Sequence, residues 1–170
     1  TKDTVFHCKG SYKFGNRAYR CWKKEGHGSV SLHRAIVESC DVYFYQVGLK
    51  LGIDRIASYA RRFGLGKPTG IELSDEKTGI VPDKAWRQKR LGAPWIDGET
   101  LSCAIGQGFN LVTPIQLLTA YAALANGGDF YQPHLMKAIV GPDGNVLKSF
   151  QPEIREKLTL SPETVLLLKD

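Results

Sequence analysis

Ser39-Cys40-Asp41 sets a hydroxyl, a thiol and a carboxylate in consecutive positions, between the amphipathic run Leu32 to Glu38 and the apolar run Val42-Tyr43-Phe44-Tyr45. Two readings are open for Ser39 and Asp41. Ser and Asp are favoured at helix N-caps, where they satisfy orphan amides. Polar groups flanked by apolar helical stretches can instead point into a cleft lined by core elements, as at the edge of an active site. The thiol belongs to a second pattern. Cys8, Cys21, His27 and Cys40 follow C-x12-C-x5-H-x12-C, which offers three thiolates and one imidazole, the donor set of a closed tetrahedral zinc site. The reactive triplet and the candidate zinc site therefore share Cys40.

The elements that must carry these residues are short. Residues 1–30 are rich in Gly, Lys and aromatics without a clear period and read as an irregular, metal-clamped loop. Ser31 caps an expected helix through about Glu38, a second helix begins near Asp41 and ends at Gly48 to Gly52, and Asp54 caps a third from Arg55 to Phe63 with Gly64-Leu65-Gly66 as its stop. Thr69-Gly70 and Thr78-Gly79 frame expected short strands around Ile71 to Leu73 and Ile80. Asp83 to Leu91 reads as a basic surface helix and Pro94 to Gly98 as loop. Leu101-Ser102-Cys103-Ala104-Ile105 reads as a short apolar strand meeting Gly106-Gln107-Gly108, a junction of the kind that lines sites. Cys103 within it is most simply a small buried hydrophobe. Thr113-Pro114 opens an expected central core helix with apolar Leu117, Leu118, Tyr121, Ala122 and Leu124, closed by Asn126-Gly127-Gly128. Gly141-Pro142-Asp143-Gly144 joins two antiparallel strands, Leu135 to Val140 and Asn145 to Phe150, and Ser161-Pro162 starts like a capped helix. His7, His33 and His134 carry no partner pattern and read as surface or locally bonded.

With 170 residues, 42% of them hydrophobic and 24% charged, the chain suffices for one core and falls within ordinary globular composition. No run of 18 apolar residues and no basic-then-apolar leader occurs, so any membrane anchor is expected outside this segment. Both ends read as cut. The net charge of +6 is concentrated in residues 1–30, where seven Lys or Arg face two Asp or Glu. A basic, aromatic-interleaved stretch with Cys and His suggests a nucleic-acid-binding zinc module, but no second basic face follows it and no nucleic-acid partner is expected.

Ordered motifs carry a family resemblance. Trp22-Lys23-Lys24 with Gly26-His27-Gly28, Ser39-Cys40-Asp41 with Phe44-Tyr45-Gln46-Val47, and Gly52-Ile53-Asp54-Arg55 are followed by Phe63-Gly64, Thr69-Gly70-Ile71 and Trp86-Arg87-Gln88-Lys89-Arg90, then by Ile105-Gly106-Gln107-Gly108 and Thr113-Pro114-Ile115-Gln116. Across essentially all 170 residues the chain resembles the transpeptidase domain of class B penicillin-binding proteins, in particular the penicillin-binding protein 2 group that serves cell elongation. The resemblance implies an α+β fold of the β-lactamase-like serine transferase type, here mainly its helical part with a few strands, with residues 1–170 forming part of one domain. It implies a peptidoglycan D,D-transpeptidase at the periplasmic face of the bacterial inner membrane. Stem peptides and β-lactams would be its ligands, a membrane glycan polymerase and elongation-complex proteins its partners, with no organic cofactor.

Enzymes of this kind combine Ser-x-x-Lys bearing the nucleophile, Ser-x-Asn or Ser-x-Asp, and a Lys-Thr-Gly-type strand. Only the second is convincingly present. The resemblance gives Ser39 the part of passing protons between the nucleophile's lysine and the departing amine, and Asp41 that of orienting substrate amides. The sole Ser-x-x-Lys is Ser74-Asp75-Glu76-Lys77. Its acidic centre and the Lys77-Thr78-Gly79 that overlaps its end point to a solvated loop, whereas the family's nucleophile opens a buried helix and precedes Ser-x-Asp. Lys77-Thr78-Gly79 spells the third motif but precedes Gly106-Gln107-Gly108 and runs into Pro82, which disfavours a central strand. The nucleophile is therefore expected before Thr1 and the third motif beyond Asp170, and the isolated segment is expected to be inactive. Outside the cytoplasmic membrane disulfides form, so a Cys8–Cys21 bridge with Cys40 free rivals zinc at Cys8, Cys21, His27 and Cys40, and unlinked thiols are a third state. From a different functional class comes a non-catalytic, zinc-stabilised binding module using the basic N-terminal region.

Overall fold

Residues 6–30 fold into two antiparallel strand pairs rather than an irregular loop. In this structure, a computed structural model that describes residues 2–169, β1 (Phe6–Cys8) pairs with β4 (Gly28–Val30), Cys8 opposite Gly28. Between them β2 (Ser11–Phe14) pairs with β3 (Arg17–Arg20). Gly15 at φ 57° and Asn16 join that inner pair, a two-residue connection whose first central position favours glycine. Strands of three or four residues are too short for their alternation to stand out from the Lys- and Gly-rich background, which is why the sequence looked aperiodic.

Two helices follow, α1 (Leu32–Val37) and α2 (Asp41–Leu51). Gly52, at φ 75°, ends α2, and α3 (Ile53–Arg62) starts at once. Asp54 lies inside the first turn of α3 and accepts a hydrogen bond from the Lys84 backbone N–H at 3.1 Å instead of capping its own helix. Asp83 caps α4 (Lys84–Leu91) by accepting from the Trp86 N–H at 2.7 Å. Residues 101–105, expected as a strand, lie largely in α5 (Asp97–Ala104). A short apolar run does not distinguish strand from buried helix, and here Thr100, Leu101 and Cys103 are buried against α2. The two helices approach so closely that a Cβ on Gly48 would lie 2.5 Å from the Ala104 Cβ.

The chain divides into two compact units. The first, Thr1–Ser58 with Pro82–Asn110, is built on a core of Cys8, Cys21, Val30, Ala35, Cys40, Val42, Tyr43, Tyr45 and Leu101. The second, Tyr59–Val81 with Leu111–Asp170, contains α6 (Pro114–Ala125), opened by a capping box between Thr113 and Gln116. It also holds β5 (Asp129–Tyr131) paired with β8 (Ile154–Lys157), the expected hairpin of β6 (Ala138–Val140) and β7 (Val146–Ser149), and α7 (Pro162–Lys169), whose start Ser161 caps through the Thr164 N–H. Ala123, Phe130 and Leu158 form its small core.

Two further expectations change in the second unit. Residues 71–73 form no strand, and Ile80 makes only an isolated bridge to Leu111. The face of α6 buried among the described residues is Gln116, Thr119, Ala120 and Ala123, while Leu117, Leu118 and Tyr121 are exposed. Fully buried Gln116 donates from Nε2 to the carbonyls of Lys67 (2.7 Å) and Thr78 (2.9 Å), so α6 seats the 67–80 loop by hydrogen bonds.

Candidate functional site

Four side chains from four places in the first unit converge. Cys8 closes β1, Cys21 follows β3, His27 precedes β4 and Cys40 lies between α1 and α2. All are buried, and their ligand atoms lie within 4.8 Å of one another. Glycines let the backbone close this tightly. A Cβ on Gly10 (φ 83°) would fall 1.8 Å from the Lys24 carbonyl oxygen, and one on Gly26 (φ 81°) 2.2 Å from that of Cys8, separations no side chain tolerates. Three tyrosines tie the strand pairs to their surroundings: Tyr45 Oη donates to the Arg20 carbonyl (2.9 Å), Tyr43 Oη to that of Thr4 (3.2 Å) and Tyr19 Oη to that of Gly98 (3.1 Å).

The donor set fits one metal ion. None of the four cysteines is disulfide-bonded. Cys21 Sγ and His27 Nδ1 are 3.5 Å apart; two ligands of a tetrahedral ion, bonded at about 2.3 Å through sulfur and about 2.0 Å through nitrogen, lie about 3.5 Å apart. The other ring nitrogen, Nε2 of His27, is buried without a hydrogen-bond partner, and the nearest charge paired with it is Glu38 Oε2 at 4.0 Å. At that distance the carboxylate makes no hydrogen bond to the ring but is the group placed on the side of the imidazole away from the cysteines, where an orienting partner of a ligating histidine would stand. Burial would raise the Cys8 thiol, but hydrogen bonds involving the His27 side chain and the backbone of Gly10 and His27 outweigh it and bring it down to about 7. Burial pushes Cys40 up to about 12. A cation among these sulfurs would favour the thiolate at each.

Ser39 and Asp41 do not cap α2. Its N-cap is Cys40, without a side-chain cap bond. Ser39 is exposed and stands in the left-handed region at φ 53°. Asp41 is half-buried, and its Oδ2 accepts the Trp22 backbone N–H at 3.0 Å. The Trp22 indole Nε1–H is shared between the carbonyls of Ser39 (2.9 Å) and Glu38 (3.1 Å), and its ring meets His27 edge-on with centroids 5.4 Å apart. Thus the cluster and the Ser39–Asp41 turn are neighbours, joined by the residue that follows Cys21. Trp22 stood in the sequence only as part of a family motif; an exposed tryptophan has no spacing that marks it.

The remaining candidates separate from this site. Ser74 and Lys77 are exposed, and Ser74 lies in a turn. Thr78 and Gly79 are in irregular chain with Gly79 at φ 66°. Glu76 organises that loop: its carboxylate accepts from Thr69 N (2.7 Å), Thr69 Oγ1 (2.6 Å) and Gly70 N (3.0 Å). Burial would raise its pKa, and these bonds reverse the effect and hold it below the usual range. Cys103 is buried, and burial raises its thiol. His7 contacts Ser29 Oγ at 3.3 Å, His134 contacts the Met136 carbonyl at 2.8 Å, and His33 is exposed. Gly106 and Gly108, at φ 75° and 70°, turn the chain out of α5.

A family model described as the penicillin binding protein transpeptidase domain matches residues 1–170. The peptidoglycan D,D-transpeptidase MrdA of Haemophilus influenzae is 46% identical over 135 residues, covering 79% of this chain and 20% of that protein. The crystal structure of Pseudomonas aeruginosa PBP2 in complex with WCK 5153 superposes with a TM-score of 0.84 at 36% identity, over 99% of this chain and 36% of that one. PBP2 of Helicobacter pylori, in its complex with MreC, gives 0.78 at 35% identity, over 99% and 29%. The chain spans about a fifth of the length of the curated relatives it matches.

Proposed function

The chain belongs to the penicillin-binding protein transpeptidase domain family, and on that premise we propose that it is part of a peptidoglycan D,D-transpeptidase of the elongation type, anchored at the periplasmic face of the bacterial inner membrane. The observation that carries this reading is the Ser39–Asp41 turn. Neither side chain caps a helix, the hydroxyl is exposed, and the carboxylate is held by a backbone N–H. In the parent enzyme a serine supplied from outside residues 1–170 attacks the carbonyl of the penultimate D-alanine of a stem peptide. The terminal D-alanine leaves as its free amine, and the acyl group passes to an amine of a neighbouring stem. Ser39 carries the proton between the nucleophile's lysine and the leaving nitrogen, and Asp41 orients the amides of the bound peptide. β-Lactams acylate the same nucleophile.

Cys8, Cys21, His27 and Cys40 would hold a structural zinc ion. Four protein ligands leave no position for a reactive water, so the ion supplies a cross-link between the strand pairs and the α1–α2 junction. A membrane glycan polymerase and elongation-complex proteins would be partners of the parent, in keeping with the Helicobacter pylori PBP2–MreC complex. The rival reading, a non-catalytic zinc-stabilised module acting through the basic N-terminal residues, predicts a salt-dependent affinity for an anionic polymer and no penicillin labelling.

The test is acylation of the full-length parent by a fluorescent penicillin. The wild type labels with one adduct per chain. Ser39→Ala remains folded and labels about 10²- to 10⁴-fold more slowly, the usual contribution of a positioned proton carrier. An unlabelled wild type sinks the transpeptidase reading, and an undiminished rate in Ser39→Ala removes Ser39 from it. Residues 1–170 alone take up no penicillin by intact mass; an adduct on Ser74 would mean that the nucleophile had been sought in the wrong place.

A further inference from the structure

The exposed Trp22 has no evident burial reason to be a tryptophan. Its residue is 63% exposed, yet both of its N–H groups, indole and backbone, are engaged on the turn that carries Ser39 and Asp41. Ser39 holds a left-handed backbone conformation that non-glycine residues adopt at a cost, and such strain persists only where neighbours over-determine it. Beneath the turn, the N–H of Cys40 donates to the Ala35 carbonyl at 2.9 Å and that of Ser39 to the Ile36 carbonyl at 3.2 Å. Above it, the carbonyls of Glu38 and Ser39 project past the end of α1, where helices leave acceptors unsatisfied, and the Trp22 Nε1–H bridges both. The backbone N–H of the same residue binds Asp41 Oδ2. The ring is kept in place by its edge-on contact with buried His27, and its backbone by the adjoining Cys21.

We propose that Trp22 is a positioning residue for Ser39 and Asp41: its indole N–H holds the strained Glu38–Ser39 turn and its backbone N–H holds the Asp41 carboxylate, so that the clustered Cys21 and His27 dictate where the two side chains stand. This inference rests on the part given to Ser39 above. Trp22 touches neither the reacting atoms nor a proton in flight; it acts through Ser39. Removing the indole N–H therefore frees the Ser39 carbonyl and loosens the hydroxyl, while the bond to Asp41, made by the backbone, survives.

The experiment uses the full-length parent and separates the penicillin dissociation constant from the acylation rate constant by stopped-flow kinetics, in Trp22→Phe, Ser39→Ala and the double variant. Phenylalanine keeps a ring against His27 and loses the N–H. Trp22→Phe is expected to lower the acylation rate constant about 10- to 100-fold, the penalty of a slight misplacement of a catalytic group, with the dissociation constant and the metal content per chain unchanged. The double variant is expected to be no slower than Ser39→Ala, because a group that acts only through Ser39 has nothing left to position. A dissociation constant that weakens while the rate constant holds would make the ring a ligand contact and overturn the proposal. So would losses that multiply in the double variant, or a rate that falls in proportion to metal lost. If Ser39→Ala is slow and Trp22→Phe is not, only the positioning role fails; if Ser39→Ala is itself unimpaired, the part given to Ser39 fails and this inference with it. Should Trp22→Phe not fold, 3-benzothienylalanine at position 22, which replaces the N–H by sulfur in a ring of nearly the same shape, gives the same readings.

Discussion

A serine at φ 53° is an expensive choice for a turn. The left-handed conformation costs a non-glycine residue about 1–2 kcal/mol, and glycine would adopt it freely. A purely structural turn would gain from that exchange, so the two properties can be set against each other in one variant. Ser39→Gly in the full-length parent should melt at the wild-type temperature or up to a few degrees above it, since the relief is partly offset by a more flexible unfolded chain. It should nevertheless acylate as slowly as Ser39→Ala, having lost the same hydroxyl. Thermal denaturation beside penicillin kinetics checks this, and a stabilised Ser39→Gly that acylates at the wild-type rate would reduce the position to a backbone corner.

At the scale of elements, α2 matters because it carries Asp41 at its first position and follows Cys40 directly. What fixes α2 is its contact with α5 through Gly48 and Ala104. Gly48→Ala ought to strengthen a helix by up to about 1 kcal/mol on propensity alone, but the added methyl would sit 2.5 Å from the Ala104 Cβ, and overpacking a fitted contact costs about 1–3 kcal/mol. The expected outcome is a net loss of thermal stability in the parent, measured by melting, and a gain would mean that the two helices do not meet there. This contact also explains where sequence reading succeeded and failed. The helix starts at Thr113 and Ser161 and the stop at Gly52 were legible because each is a local signal, whereas Ser31 makes no side-chain cap bond and Asp54 turns to Lys84. The helical state of residues 97–104 was not, because Leu101 to Ile105 is too short to reveal a period and its packing against α2 is a long-range fact. The paired strands of residues 6–30 escaped for the same reason. That Cys8, Cys21, His27 and Cys40 belong together was legible from chemistry alone, since three thiols and an imidazole are rare company, and the fold brings their ligand atoms within 4.8 Å of one another as a group that could hold a metal. The bond from Trp22 to Ser39 was not, because it joins residues 17 positions apart with no compositional trace.

At the scale of the molecule, the cluster belongs to one of the two units, and that makes its removal selective. The side chains of β2 and β3 are exposed or half-exposed, and the strand pairs of residues 6–30 hold the α1–α2 junction through Cys8, Cys21, His27 and Cys40 together with Val30 and the rings of Phe6, Tyr12, Phe14 and Tyr19 packed on the same core. A bound ion would add its binding energy to that hold, because a site formed only on folding returns its metal affinity as stability. The four donors would bind deprotonated at sulfur and neutral at nitrogen, so protons would compete with the metal, and affinity would be present at neutral pH and fall as the pH falls. The parent, prepared without metal affinity tags, should therefore carry about one zinc per chain by elemental analysis. A strong chelator, or acidification, should release it, and amide exchange should then quicken first in residues 1–40 while α6 in the second unit, with its capping box and its Gln116 bonds to the 67–80 loop, keeps its protection. Protein that contains almost no zinc, or in which Cys8 and Cys21 prove to be disulfide-linked, would replace the metal by a bridge, and the loop would then loosen on reduction and ignore chelators.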